Sequence, residues 1–251
     1  MARIAYDHTD AAAFASTRHL GDAGADQWRA AMIRLLDPQP GMRLLDLGAG
    51  TGSWSRAFSA WFPGIDVTAV EPSAAMRERS VYQPVVAGDA ADIPLPDASV
   101  DAAWMSTVIH HIPDLSAAAG ELRRVLRPAA LVLIRSAFAG RHEAISLFRY
   151  FPEAIRVLDT YPTVGQVEAA FAGEGFATVS LEQVPQITAV SLRQAAAALR
   201  REAHTPLQLI TDEEYAAGVE RLRHAALTDT GPVIDALDLL VLRREGSSTR
   251  E

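Results

Sequence analysis

Hydrophobic positions first become regular at Trp28, Met32, Leu35 and Leu36, which recur at helical spacing and stop at Asp37-Pro38-Gln39-Pro40-Gly41. From there short apolar runs alternate with amphipathic stretches. The runs Met42–Leu47, Ile65–Val70, Pro84–Ala87, Ser99–Met105 and Leu131–Arg135 predict strands, and the continuous apolar character of the first and fourth suits a sheet covered on both faces. Between them, Trp54, Phe58, Trp61 and Phe62 at i, i+4, i+7 and i+8 predict one helix. Leu115, Ala118, Leu122, Val125 and Leu126, entered through Pro113-Asp114, predict another. This alternation predicts an α/β protein with a doubly wound parallel sheet.

Beyond Arg135 the pattern loosens. The aromatic-rich segment Leu147–Pro152, with Ala154–Leu158 and Asp159–Pro162, predicts a helical lid. Thr163 and Gln166 form a capping-box pair for a helix bearing Val164, Val167 and Phe171, which Gly173 and Gly175 close before a strand near Phe176–Val184. Residues 191–227 predict two amphipathic helices, one with Leu192, Ala195, Ala196 and Leu199 on a face, the other with Tyr215, Val219 and Leu222 behind Thr211-x-x-Glu214. Val233–Leu242 predicts the last strand. The expected organisation is an N-terminal helical lid over 1–40, a core over 41–190 and 228–251, and a helical cap over 191–227 inserted between the last two strands.

Composition narrows the chemistry. The 251 residues include no cysteine, lysine or asparagine, which excludes disulfides, thiolate nucleophiles, Schiff bases and a P-loop lysine. The net charge of -8 disfavours a chain that lives on phosphate contacts, so nucleic acid is not the expected partner. No apolar run approaches the roughly 18 residues of a membrane span, and Met-Ala-Arg-Ile-Ala-Tyr-Asp has no signal-peptide core, so a cytoplasmic location is expected. No metal-ligand spacing such as His-Glu-x-x-His occurs, so no metal is expected.

The densest motif is Leu44-Leu45-Asp46-Leu47-Gly48-Ala49-Gly50-Thr51-Gly52, an apolar strand that ends in a glycine loop and runs into a helix. Glycines there permit a tight turn and backbone contact with a ligand. Glu71 follows Gly50 by 21 positions, after the second strand, where a carboxylate can accept both hydroxyls of an adenosine ribose. The sixth position of the loop is Ser53, not the glycine of a dinucleotide fingerprint. Asp46 at the mouth of the loop would repel a pyrophosphate but suits a ligand bearing an ammonium and a sulfonium, as S-adenosylmethionine does. Asp46 either touches that ligand or orients the loop amides.

These residues resemble the class I S-adenosylmethionine-dependent methyltransferases, in particular the small-molecule branch related to ubiquinone and menaquinone methylation. The likeness covers roughly residues 40–136. It includes Val70-Glu71-Pro72-Ser73 with Met76, Gly88-Asp89-Ala90 through Asp97, Val100-Asp101-Ala102-Ala103-Trp104 and His110-His111-Ile112-Pro113-Asp114. The resemblance implies a Rossmann-like seven-stranded sheet of order 3-2-1-4-5-7-6. It also implies that Asp89 and the Ala90 backbone hold the adenine, Glu71 the ribose, and the backbone of Gly48, Ala49 and Gly50 the methionine moiety. Asp46, Pro72, Met76, Gly88, Met105 and Ser106 complete the implied cofactor-facing set, and Tyr6 and Arg18 look like lid residues that reach the methionine carboxylate. Two features depart from the family. Pro128-Ala129-Ala130 replaces the usual Pro-Gly-Gly before the fifth strand, so that turn is expected to avoid positive φ. The insertion over 191–227 replaces a short hairpin and is expected to cap the substrate.

His110 and His111 follow the fourth strand, where the transferred methyl should sit. Methyl transfer is an in-line displacement, so an enzyme must align the nucleophile and remove its proton, a task that suits histidine near neutral pH. Either histidine is that base, with His110 preferred, or the pair packs behind the site. Phe148, Tyr150, Phe151 and Tyr161 either line an apolar pocket for a planar acceptor or glue the lid to the sheet. The expected activity is methyl transfer to a small, aromatic or apolar metabolite, leaving S-adenosylhomocysteine. The alternatives are a methyltransferase fold repurposed for a cyclisation or rearrangement, and an inactive cofactor-binding partner subunit. Neither monomer nor homodimer follows from these patterns.

Overall fold

In a computed structural model that describes residues 22–246, the seven apolar runs form β1 (Arg43–Leu47), β2 (Asp66–Val70), β3 (Val85–Val86), β4 (Val100–Ser106), β5 (Leu126–Ser136), β6 (Phe176–Ala189) and β7 (Val233–Arg244). They make one sheet of order β3-β2-β1-β4-β5-β7-β6, the order implied by the family resemblance. Strands β1 to β5 run parallel, while β7 pairs antiparallel with both β5 and β6. The helices are α1 (Asp22–Leu36), α2 (Ser53–Trp61), α3 (Ala74–Glu78), α4 (Leu115–Val125), α5 (Ser146–Tyr150), α6 (Ile155–Leu158), α7 (Val164–Gly173), α8 (Leu192–Ala198), α9 (Thr205–Gln208) and α10 (Asp212–Ala225). Tyr6 and Arg18 lie outside the described residues.

The apolar runs are continuous because each face of the sheet buries alternate residues. Leu44, Val67, Trp104 and Leu133 pack against Trp28 and Met32 of α1 and Phe58 of α2. Leu45, Leu47, Ala103, Met105, Val132 and Ile134 pack on the other face against Leu122 and Val125 of α4 and Val167 and Phe171 of α7. α1 is thus a layer of the core; its Trp28 and Met32 are fully buried.

A third cluster joins α5, α6 and the following turn to the insertion between β6 and β7. That insertion holds three helices and a 3-10 turn at Arg201–Ala203, where the sequence predicts two helices. Pro206 is the reason: it lacks an N–H and can enter a helix only in its first turn, so α9 begins afresh. Arg201 holds the break by donating to the Leu207 carbonyl at 2.8 Å and pairing with Asp212 at 2.5 Å. The capping boxes at Thr163–Gln166 and Thr211–Glu214 both form.

β5 also starts earlier than its apolar core. Its first residues pair with Val100 across a register shift, and Ala129 takes φ 66. Alanine in place of glycine does not keep this turn out of positive φ. The path into β5 demands it, and the Cβ raises the cost by about 1–2 kcal/mol.

Candidate active site

The C-terminal ends of β1, β2, β4 and β5 meet along one edge, where parallel sheets of this kind bind ligands. β1 ends in the loop Gly48–Gly52, whose Gly48 and Ala49 amides donate to the Val70 carbonyl at 2.8 and 3.0 Å. Gly48 has φ 73, and a Cβ built on it would lie 2.4 Å from Val108, so only glycine brings the loop this close to the β4 side. At the end of β2, both oxygens of Glu71 are held by backbone amides: Gly50 N–H donates to Oε2 at 2.9 Å and Ser73 N–H to Oε1 at 2.8 Å. Arg77 ties the same turn down by donating to the Glu71 and Pro72 carbonyls at 2.8 and 2.7 Å. A carboxylate has about four acceptor positions, so two remain for vicinal hydroxyls.

Asp46 is buried beneath the loop and accepts from Ser55 Oγ of α2 at 2.5 Å. This ties it to the start of α2. Burial pushes its carboxyl up to about 7; the Ser55 hydrogen bond opposes the rise and the charge of Glu71 adds to it. Glu71 is pushed up as well, by burial, against the pull of the Ser73 and Gly50 amides and of Arg77. Met76 is buried beside this turn, and Pro72 is exposed.

Asp89 is exposed after β3 and caps its own turn, accepting from Ala91 N–H at 2.8 Å and Asp92 N–H at 3.1 Å. Gly88 and Ala90 flank it, and a Cβ on Gly88 would meet the Pro94 ring at 2.5 Å. Arg124 of α4 clamps the whole loop: it donates to the Ile93 and Leu95 carbonyls at 2.8 and 2.7 Å and pairs with Asp97 at 2.9 Å. The sequence motif concealed this, because Arg124 belongs by spacing to a solvent-facing helix stripe.

Past β4, Ser106 is half-buried, Thr107 takes φ 54, and a 3-10 turn over Ile109–His111 follows. Positive φ in a β-branched residue is strained, and such strain concentrates at working sites. The Thr107 N–H donates to the Arg135 carbonyl at 2.7 Å, which fixes the turn to β5. His110 lies flat on Tyr161, centroids 4.0 Å apart and planes at 4°, with the His111 ring also at 4.0 Å. Tyr161 belongs to the cluster that includes the insertion between β6 and β7, so that insertion is coupled to the histidine turn.

Two expected contacts are corrected. The Met105 side chain is fully buried in the core, because alternation along β4 turns it to the α4 face, so it offers a ligand no surface. Phe151 is fully buried against Gly218 and stacks on Tyr215 at 5.8 Å, so its ring belongs to the core between α5 and the insertion. Phe148 and Tyr150 are buried in the same cluster. Sequence reasoning missed Arg135 and Gln186, both buried on this edge; only an arginine ending an apolar strand hinted at the first.

Residues 45–134 match the methyltransferase domain family. This stretch therefore carries a methyltransferase domain. The chain is 37% identical over 137 residues to a malonyl-[acyl-carrier protein] O-methyltransferase of Serratia marcescens, covering 52% of this chain and 53% of that one. It is 32% identical over 134 residues to a demethylmenaquinone methyltransferase of Roseiflexus, covering 50% and 55%. The chain thus spans about half the length of these curated relatives. Among solved structures, a protein of Anabaena variabilis assigned as a methyltransferase of an antibiotic biosynthesis pathway superposes with TM-score 0.69 at 22% identity, covering 86% of this chain and 96% of that one.

This edge fits S-adenosylmethionine on its own geometry. It offers a glycine cradle that a Cβ would fill, a Glu71 carboxylate with acceptor capacity left, and a buried Thr51 Oγ1 that has no hydrogen-bond partner among the described residues. Among the described residues no group of three or more His, Asp or Glu side chains could hold a metal ion, and no helix is long and apolar enough to cross a membrane.

Asp46 makes the cost of this arrangement measurable. A carboxyl raised from 3.8 to about 7 on folding favours the protonated form, so its contribution is fully present below pH 3.8 and is lost as pH rises to about 7. The shift corresponds to about 4 kcal/mol. We therefore expect Asp46→Asn to gain stability relative to the native protein across that window, by up to about 4 kcal/mol, with a constant difference above it. Urea unfolding of both proteins at pH 5, 6, 7 and 8 checks this; a difference independent of pH would show that Asp46 is ionised throughout.

Proposed function

We propose that this chain transfers the methyl group of S-adenosylmethionine to a small-molecule acceptor and releases S-adenosylhomocysteine. The observation that carries the reading is the meeting, on one sheet edge, of the amide-held Glu71 and glycine loop with the His110–His111 turn. When bound, the cofactor supplies an electrophilic methyl on a sulfonium. The chain supplies the rest. Glu71 accepts the ribose hydroxyls, Asp89 and the Ala90 amide face the adenine, and the Gly48–Gly50 backbone takes the methionine moiety. Asp46 braces the start of α2 beneath the loop through Ser55.

On the acceptor side, His110 takes the proton of a hydroxyl nucleophile, and the Tyr161 stack holds its ring plane. Tyr161, the lid and the 191–227 cap exclude water and select the acceptor. The family match ends at residue 134, before the lid and cap, so the malonyl carrier and demethylmenaquinone named for the relatives do not carry over as substrates.

Calorimetric titration with S-adenosylmethionine, S-adenosylhomocysteine and reduced nicotinamide dinucleotide tests the cofactor half. Binding of the first two and not the third is expected, followed by transfer of labelled methyl in an acceptor screen. Folded protein that binds neither sulfur compound would leave only a shared fold.

A further inference from the structure

Ser106 and Arg135 are register partners on β4 and β5, and the turn that carries His110 begins at that point. Arg135 grips this turn twice. Its carbonyl accepts the Thr107 N–H at 2.7 Å, and its Nη1 donates to Ser106 Oγ at 3.1 Å. Thr107 takes φ 54, and a β-branched residue stays in that region only where its surroundings over-determine it. The main chain and the side chain of Arg135 supply two of those restraints, one on each side of the Ser106–Thr107 peptide.

An arginine side chain is long and rotamer-rich, so its guanidinium holds Ser106 in one place only if its far end is held in turn. Gln186 holds it. This residue stands on the edge strand β6, with β7 between it and β5, and is as deeply buried as Arg135. Its Oε1 accepts from Arg135 Nη2 at 2.8 Å and from Trp28 Nε1 of α1 at 2.8 Å. Both neighbours can only donate, which assigns the amide oxygen to this point. The Trp28 and Trp54 rings lie 4.8 and 5.3 Å from the guanidinium carbon and bound it from α1 and α2. Gln186 is thus the point where α1, β6 and β5 are tied together, and the tie ends on the turn after β4. Space-filling alone would call for an apolar residue here, as at Val184 and Leu237 in the same layer. Gln186 also lies beyond residues 45–134, the stretch that matches the methyltransferase domain, so this tie is made by the part of the chain outside it.

We propose that Gln186 is a positioning residue for methyl transfer: through Arg135 it sets the Ser106–Thr107 turn, and with it the place of the His110 ring. The inference rests on the methyltransferase reading above. Gln186 meets neither cofactor nor acceptor in this role, and no proton passes through it. Its effect is on alignment, to which an in-line displacement is sensitive because small misplacements of the reacting groups cost rate and not cofactor affinity. What matters at position 186 is an oxygen that two buried donors can share. A carboxylate meets that need; an aliphatic side chain does not.

The test compares Gln186→Leu, which removes the shared oxygen, with Gln186→Glu, which keeps it. The first readout is the His110 ring signals in NMR spectra of histidine-labelled full-length protein, assigned with His110→Ala, beside calorimetric affinity for S-adenosylhomocysteine. Gln186→Leu should displace the His110 signals from their native positions and Gln186→Glu should return them, with the dissociation constant within about twofold of native in both. With the hydroxyl acceptor that the labelled-methyl screen yields, kcat should fall about 10- to 100-fold in Gln186→Leu at little change in KM, and recover in Gln186→Glu. A residue that only fastens α1 to the sheet would lower the thermal midpoint of Gln186→Leu and leave the His110 signals in place. That outcome overturns the proposal, and so does a Gln186→Glu protein that matches Gln186→Leu. If Gln186→Leu does not fold, Ser106→Ala cuts the same tie at its other end, and native His110 signals there overturn it. Failure of the native protein to bind S-adenosylhomocysteine would instead overturn the methyltransferase reading, while the His110 signals still report on Gln186.

Discussion

Replacing Glu71 with alanine should raise the dissociation constant for S-adenosylmethionine and S-adenosylhomocysteine by at least about 100-fold. Two losses combine. The ribose hydroxyls lose an ionised acceptor, and hydrogen bonds to charged groups contribute about 1.5–3 kcal/mol each. The Gly50 and Ser73 amides, now held at 2.9 and 2.8 Å, lose the partner that shapes the loop and the turn after β2. The second loss separates Glu71→Ala from Glu71→Gln, since one amide oxygen can still accept a backbone N–H. Glu71→Gln should therefore bind more tightly than Glu71→Ala while remaining weaker than the native protein. Calorimetric titration of the three proteins, with circular dichroism to show that each is folded, gives the ordering. Unchanged affinity in Glu71→Ala would remove the ribose contact and with it the nucleoside reading of the glycine loop.

How much of this was legible in the sequence follows from how local each signal is. The strands were legible because a sheet buried on both faces demands continuous apolar runs, and Leu44–Leu47 and Val100–Met105 supply them. Capping boxes were legible because they close within four residues, as at Thr163 and Thr211. Glu71 was legible because its distance from the loop is set by one helix and one strand. Pro206 was visible, but Arg201, which holds the break through the Leu207 carbonyl and Asp212, was not. Ala129 shows the limit of local rules: alanine disfavours φ 66 by itself, and the route from α4 into β5 overrides it.

Arg135, Gln186 and Arg124 were not legible as a group. The partners that position them lie 27 to 158 residues away along the chain, and nothing in the local pattern announces them. Arg124 sits on an ordinary amphipathic helix, yet it fixes the loop that carries Asp89 through two carbonyls and Asp97. Such residues become visible only once the sheet order sets which strand ends are neighbours. The same sheet order corrects Met105, whose position beside Ser106 in sequence places its side chain on the opposite face.

The second large effect lies in the chemical step. His110→Ala should lower kcat by about 100- to 10,000-fold for a hydroxyl acceptor while cofactor affinity stays near the native value, because a general base acts on the transition state and not on cofactor binding. The geometry distinguishes it from its neighbour. His110 is held flat against Tyr161 at 4.0 Å and 4°, a contact that fixes the plane in which its ring nitrogens act. His111 meets the His110 ring at a tilt of 45°, whereas Tyr161 lies parallel to it. His111→Ala should accordingly cost much less than His110→Ala. Tyr161→Phe should keep the stack and most of the rate, whereas Tyr161→Ala should release the ring and reduce kcat at little cost in cofactor affinity. The readout that a merely structural histidine would not move is the acid limb of the rate profile: it should report one ionisation in the native enzyme and flatten in His110→Ala. If His110→Ala keeps both its rate and that limb, the turn after β4 holds the cap through Tyr161 and the acceptor proton leaves by another route.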